Sequence, residues 1–156
     1  MTHYLMNKPG YWGKVPSDLE GLRATAEMEG IDFSMHVIGE EMDDAAPVAL
    51  VVRIPPNTPL PRHAHVGYRF EVVLEGSIKF GDEWLKPGDV MTAREQEAYG
   101  PLATGPDGAT TVEIFSVRRG AYEVFYENAN GDMQFVNALD PAAAAAAVAD
   151  FRAASS

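Results

Sequence analysis

Apolar and polar residues alternate along most of the chain, which is the pattern of half-buried β-strands. The alternation begins at Ile31, and the next run, Val48–Ile54, is dense in β-branched residues. Glycine, proline and acidic residues separate these runs, and a longer loop is predicted over residues 100–108. Further strands are predicted at residues 70–74, 77–80, 83–85, 90–93, 110–117 and 121–126. Many short strands at this spacing predict an all-β sandwich or barrel.

Two segments depart from this alternation and have the pattern of helices. Residues 17–30 place apolar side chains at helical spacing and stop at Gly30. Near the other end, Asp140 precedes Pro141, a combination that is typical of a helix start. The alanine-rich stretch that follows predicts a helix over residues 141–154. The sequence therefore predicts a short N-terminal helix and a C-terminal helix around the β-structure.

Chain length sets the number of folding units. The chain has 156 residues, and domains usually contain roughly 100–200 residues. We therefore expect one domain over residues 1–156, with the barrel core at about residues 31–127 and the helix at about residues 141–154. The sequence shows no internal repeat that would divide this unit.

Composition excludes several classes of partner. The formal net charge is −11 and only 12 residues are Lys or Arg, so nucleic acids and anionic membrane surfaces are not expected partners. The chain has no cysteine, which excludes disulfides, zinc–thiolate sites and thiol nucleophiles. No apolar run reaches the roughly 18 residues that a membrane-spanning helix needs, and the N-terminal stretch does not have the pattern of a secretion signal. We expect a cytoplasmic protein that binds a small-molecule substrate.

His63 and His65 are the strongest chemical signal in the chain. Alternate residues of a strand face the same side, so a His-x-His spacing directs both imidazoles to one point. A proline-rich stretch over residues 55–61 leads into the pair, and an apolar strand and Gly76 follow it. This arrangement suits either a metal ion or a polar ligand.

With these flanking residues, the pair resembles the first motif of the cupin superfamily: glycine, five residues, HxH, three or four residues, glutamate, six residues and glycine. The second cupin motif is glycine, five residues, PxG, two residues and histidine, and here it begins at Gly88 within Lys86-Pro87-Gly88-Asp89. The resemblance covers roughly residues 48–117 and implies a double-stranded β-helix, the jelly-roll barrel of the cupins. It also implies a divalent metal ion, Fe, Zn, Ni or Mn, and a homodimer, since small cupins commonly pair.

Two of the four metal ligands of the cupin motif are replaced. The glutamate position is Arg69, and Glu71 lies two residues further along the same strand face. The position of the third histidine is Tyr99. The carboxylate is thus displaced, and a phenol stands where an imidazole is expected.

These replacements leave two functional hypotheses. In the first, His63, His65 and Glu71 hold a divalent ion, and Tyr99 and Arg69 act on the substrate of a metal-dependent enzyme. The resemblance then points to dioxygenases that cleave diketones or hydroxyaryl ketones. In the second, Arg69 repels a cation and pairs with Glu71. The protein is then a metal-free cupin that binds a small anionic or polar ligand as a sensor, isomerase or lyase.

Overall fold

The structure, a computed structural model, describes residues 1–154 and contains ten strands and two α-helices within that range. Helix α1 is Glu20–Met28 and follows a 3₁₀ turn at Ser17–Leu19, and helix α2 is Pro141–Ala154. A second 3₁₀ turn lies at Arg118–Ala121. The strands are β1 Asp32–Val37, β2 Val48–Ile54, β3 Pro59–Leu60, β4 His63–His65, β5 Arg69–Phe80, β6 Glu83–Leu85, β7 Val90–Ala93, β8 Leu102–Phe115, β9 Glu123–Glu127 and β10 Met133–Asn137.

The strands form two antiparallel sheets. The larger sheet has the order β1-β2-β8-β5-β6, with β3 also paired to β8 and β7 to β5. The smaller sheet has the order β10-β9-β4 and carries the two histidines at its edge. Two antiparallel sheets with a helix near each end of the chain form the predicted all-β jelly-roll fold, so the predicted fold class is confirmed.

Strand β8 is longer than the sequence indicates. The predicted loop at residues 100–108 is wrong, because β8 begins at Leu102 and pairs along its first half with the end of β5. Its glycines are needed for packing: a Cβ at Gly108 would lie 2.6 Å from the carbonyl oxygen of Ile54. Glycine can thus mark a close approach between strands as well as a turn.

The two helices pack against each other beside the larger sheet. Thr25 Oγ1 in α1 donates to the carbonyl oxygen of Ala138, just before α2, at 2.8 Å. Asp140 Oδ1 accepts from the backbone N–H groups of Ala142 and Ala143 at 3.0 and 3.2 Å, which confirms the predicted start of the C-terminal helix. Gly30, with φ of +69°, follows the end of α1 as predicted.

Buried apolar residues join these elements into one core. The cluster contains residues of α1, of four strands of the larger sheet and of the second 3₁₀ turn. Its most buried large side chains are Leu19, Met35, Val48, Val73, Ile78 and Phe115. Because the core spans the sheet and α1, it holds the helix beside the cavity that His63, His65 and Arg69 line.

Candidate functional site

A cavity of about 180 Å³ lies between strands of both sheets and the two helices. Its wall is mostly apolar, with side chains from β1, β2, α1 and α2. The polar residues that line it are Thr25, Glu29, His63, His65, Arg69, Glu71, Glu113 and Tyr126. Four of the five site residues predicted from the sequence, all except Tyr99, line this one cavity.

The histidines are held in one tautomer by the backbone. His63 Nδ1 lies 2.8 Å from the carbonyl oxygen of Pro61, and His65 Nδ1 lies 2.7 Å from that of Gly120. A carbonyl oxygen only accepts, so each Nδ1 carries the proton and donates it. In the neutral ring Nε2 then carries a lone pair. The ring centroids lie 5.1 Å apart, so the two rings are neighbours.

Both imidazoles are neutral at physiological pH. Burial, together with the positive charge of Arg69, lowers the pKa of His63 to about 4. Burial, with the neighbouring His63, also lowers the pKa of His65 well below its ordinary value. Each ring is therefore a hydrogen-bond acceptor at Nε2 rather than a cation.

Arg69 forms ion pairs with two carboxylates inside the cavity wall. Its Nη2 lies 2.7 Å from Glu71 Oε2 and 3.0 Å from Glu113 Oε2, and its side chain is only 4% exposed. Register explains the group, because Glu71 on β5 is paired with Glu113 on β8 and Arg69 lies two residues from Glu71. The contact with Glu71 is an ion pair without hydrogen-bond geometry, since neither Glu71 oxygen has a hydrogen-bond partner.

The charges of this group shift one another's pKa. Burial works against the charged form of Arg69, but Glu113 and Glu71 outweigh it and the pKa of Arg69 is raised. Burial raises the pKa of Glu71 to about 7, although Arg69 opposes the shift. The arginine thus stays charged, whereas Glu71 ionises fully only above about pH 7, so the ion pair between them weakens below neutral pH.

Tyr99 packs beside the histidines without lining the cavity. Its backbone exchanges two hydrogen bonds with His63, at 2.9 and 3.1 Å, and its ring centroid lies 4.6 Å from that of His63. The guanidinium of Arg69 lies 4.7 Å from the Tyr99 ring centroid, a cation–π contact. The Tyr99 hydroxyl is buried without a hydrogen-bond partner, and burial raises its pKa well above the ordinary value. Its predicted action on a substrate stays a prediction.

Four polar residues that line the cavity were not predicted from the sequence, namely Thr25, Glu29, Glu113 and Tyr126, and the last two lie beside the predicted site residues. Glu113 lies two residues before Phe115 on the same strand, so the two side chains face the same side. Because Phe115 is buried, the sequence could have predicted that Glu113 points inward. Tyr126 on β9 is paired in register with His63 on β4, and burial raises its pKa to about 12 with a contribution from Glu29. No local sequence signal reveals this second pairing, since it joins residues far apart in the chain.

The side chains fit a cupin metal ion only in part. The two histidines have the right tautomer, with Nδ1 anchored and Nε2 free to coordinate. The predicted third ligand, Glu71, is ion-paired with Arg69 instead. Among the described residues, no three His, Asp or Glu side chains are grouped as a metal site would need. A fixed guanidinium 2.7 Å from the carboxylate also opposes a second cation there.

Comparison with known proteins identifies the fold. The structure is similar to an acetylacetone dioxygenase from Acinetobacter johnsonii, with a TM-score of 0.56 and 12% identity over 95% of this chain and 93% of that one. It is also similar to an RmlC-like cupin from Shewanella frigidimarina, with a TM-score of 0.53 and 16% identity over 76% and 94% of the chains. An RmlC-like cupin from Ralstonia eutropha gives a TM-score of 0.51 and 14% identity over 80% and 75%. The protein therefore has a cupin fold, as the resemblance predicted.

Sequence comparison adds no closer relative. No protein-family model matches the chain, and no curated protein matches it significantly in sequence. At these identities the structural likeness establishes the fold alone.

Two further features bear on the setting of the protein. Neither described helix is long and apolar enough to cross a membrane. The homodimer implied by the cupin resemblance stays a prediction.

Proposed function

We propose that this protein is a metal-free cupin that binds a small molecule in the cavity, with His63 and His65 as hydrogen-bond acceptors. The observation that carries the proposal is the position of Arg69 Nη2, 2.7 Å from Glu71 and 3.0 Å from Glu113. The guanidinium lies where the cupin motif has its metal-binding glutamate. It pairs with Glu71, the carboxylate that the sequence predicts as the third metal ligand.

The charges support a polar ligand rather than an anionic one. Arg69 contributes one positive charge, and two carboxylates lie within ion-pair distance of it. A guanidinium that is already paired twice leaves little attraction for an anion. Arg69 is then a positioning residue: it holds the carboxylates and, with burial, keeps His63 neutral.

Thermal unfolding with and without metal tests the proposal. The wild-type protein should melt at the same temperature in excess EDTA as in excess Zn²⁺, Mn²⁺ or Ni²⁺, because a ligand bound to the folded state alone raises the melting temperature. The matched control is His63→Ala, which removes one imidazole from the cavity. A metal-dependent rise of several degrees in wild type, absent in His63→Ala, would contradict the proposal.

A metal-dependent enzyme of the dioxygenase type is the second candidate. One observation favours it: both Nδ1 atoms are anchored on backbone carbonyl oxygens, an arrangement that orients Nε2 as metal-ligating histidines require. This candidate needs Glu71 to leave Arg69 and join the histidines. The side chains as they are arranged do not meet that condition.

A further inference from the structure

We propose that the cavity binds a neutral, single-ring molecule of about the size of a cresol, with a hydroxyl group directed at His63 and His65. This inference rests on the proposed metal-free site and names the ligand class that the site selects. Three properties of the cavity carry it, namely its volume, the direction of its hydrogen bonds and its charge.

The volume of the cavity and its apolar wall favour a ligand that is small and mostly apolar. The cavity encloses about 180 Å³, and a dry apolar cavity of about 150 Å³ is enough to hold benzene. Apolar side chains from the larger sheet and both helices form most of the wall, including Phe33, Leu50, Val52, Ile78 and Val148. A single ring with one or two small substituents fills such a space.

The histidines determine which hydrogen-bonding group a ligand must carry. Both Nδ1 protons are donated to backbone carbonyl oxygens, so only the Nε2 lone pairs remain for a ligand. A lone pair needs a donor, and therefore the ligand must present an O–H or N–H group at this end. Ketones, ethers and esters without such a group leave both nitrogens without a partner, which costs free energy in a buried site.

Tyr126 supplies the complementary donor. It lies across from His63 in the β4–β9 register, and the two ring centroids are 5.8 Å apart. Its hydroxyl keeps its proton at neutral pH, since burial raises its pKa to about 12. A hydroxyl both donates and accepts, so one ligand oxygen satisfies the histidine and the tyrosine together. An amine lacks this dual capacity once it is protonated.

Charge excludes carboxylates and phosphates from the class. Among the described residues that line the cavity, Arg69 is the sole Lys or Arg, and Glu71 and Glu113 are paired with it. An anionic ligand therefore meets no unpaired cation among the described lining residues, while it loses its hydration.

Calorimetric binding to wild-type protein tests the inference with three probes of similar shape: p-cresol, toluene and 4-methylbenzoate. We expect p-cresol to bind about 10-fold more tightly than toluene, which corresponds to one buried hydrogen bond. Toluene leaves water more readily than p-cresol does, so toluene would bind more tightly if the cavity offered no hydrogen bond. Tighter binding of p-cresol therefore indicates a hydrogen bond to its hydroxyl group. We expect no detectable binding of 4-methylbenzoate. Equal or tighter binding of toluene, or of 4-methylbenzoate, would overturn the inference.

Two variants locate the hydroxyl. In His63→Leu the ratio of p-cresol to toluene affinity should fall to one or below, and in Tyr126→Phe it should fall about threefold. The ratio cancels general effects of a variant on the shape of the cavity. Tyr122→Phe is the matched control, since the Tyr122 hydroxyl bonds to Asp44 and not to the cavity, and its ratio should equal that of wild type. A ratio that is unchanged in His63→Leu would overturn the assignment.

Metal analysis of the same preparations separates this inference from the proposed function. If the protein contains no metal but binds toluene as tightly as p-cresol, the proposed ligand class is wrong and the proposed metal-free site is still supported. Protein that contains a stoichiometric metal contradicts the proposed function itself, and with it the free Nε2 lone pairs on which the ligand class depends.

Discussion

Arg69 Nη2 lies 2.7 Å from Glu71 Oε2, and the two side chains are only 4% and 1% exposed. Arginine here occupies the position at which the cupin motif has a glutamate ligand, and the displaced carboxylate has become its ion-pair partner. A buried charge without its partner is strongly destabilising. The pair therefore determines both the stability of the site and its chemistry.

Removing the guanidinium should be costly. In Arg69→Met, Glu71 and Glu113 lose their common counter-ion inside the protein, and we expect the free energy of unfolding to fall by about 3–5 kcal/mol. Arg53→Met is the matched control. Like Arg69, Arg53 forms an ion pair, here with Asp32 at 2.6 Å, and lies over an aromatic ring, that of Trp12, but it is on the protein surface. That change should cost about 1 kcal/mol. Urea unfolding measures both, and similar losses in the two variants would contradict the role of Arg69.

The free energy of unfolding should depend on pH through the ionisation of Glu71. Its pKa is raised from 4.5 to about 7, so between these pH values the folded protein holds a proton that the unfolded chain has lost. The free energy of unfolding then falls as pH rises through this window, by on the order of 2–3 kcal/mol. Glu71→Gln has no proton to lose there. We expect the difference in unfolding free energy, wild type minus Glu71→Gln, to decrease with rising pH and to level off above pH 7; parallel profiles would argue against a protonated Glu71.

Tyr99 should tolerate the loss of its hydroxyl. The group is buried without a hydrogen-bond partner, and such a group costs roughly 1–3 kcal/mol when it is desolvated. Tyr99→Phe is therefore expected to match or exceed the stability of wild type by about 1 kcal/mol. Tyr122→Phe should instead lose about 1 kcal/mol, since the Tyr122 hydroxyl donates to Asp44 at 3.0 Å. Thermal unfolding compares them, and a clear loss in Tyr99→Phe would mean that its hydroxyl has a partner.

Gly21 should not accept a side chain, although it lies in a helix. A Cβ there would overlap the carbonyl oxygen of Leu139, where α1 packs against the segment that leads into α2. Gly→Ala in a helix ordinarily stabilises it by about 0.5–1 kcal/mol. We expect Gly21→Ala to lower the free energy of unfolding instead, by about 1–3 kcal/mol. A gain in stability would show that α1 and α2 separate easily over the cavity.

Several strands, the C-terminal helix and the face on which Arg69 and Glu71 lie could be predicted from the sequence, because each depends on residues close together in the chain. β-Branched residues and flanking turn residues predict Val48–Ile54, Glu83–Leu85 and Val90–Ala93 with the observed bounds, and the Asp140-Pro141 signal predicts α2. The alternation of facing along a strand puts Arg69 and Glu71 on one buried face. These features depend on neighbouring residues alone, so they are readable without the fold.

What the sequence left open depends on pairing between distant strands. Glu113 reaches Arg69 because β5 and β8 align Glu71 with Glu113, and Tyr126 reaches the cavity because β9 pairs with β4. Such registers are set by the whole sheet and are not local properties. The choice between a metal and an ion pair therefore could not be made from the chain alone, because it depends on where the carboxylates meet the guanidinium.

Restoring the cupin motif provides a positive control for metal binding. In the double variant Arg69→Glu with Tyr99→His, a glutamate and a third histidine replace the residues that interrupt the motif. If Arg69 is what keeps a cation out, this variant should gain one tightly bound divalent ion per subunit. Equilibrium dialysis against Zn²⁺ or Mn²⁺ measures it, and failure of the correctly folded variant to bind metal would show that another feature of the cavity excludes it.

The most direct test of the metal-free site is elemental analysis of wild-type protein purified without chelators. Bound Fe, Zn, Ni and Mn should together be far below one ion per subunit, and reloading with excess metal followed by gel filtration should not raise the value. A stoichiometric ion that is lost in both His63→Ala and Glu71→Gln would contradict the account. It would mean that Glu71 leaves Arg69 to complete a metal site with the two histidines.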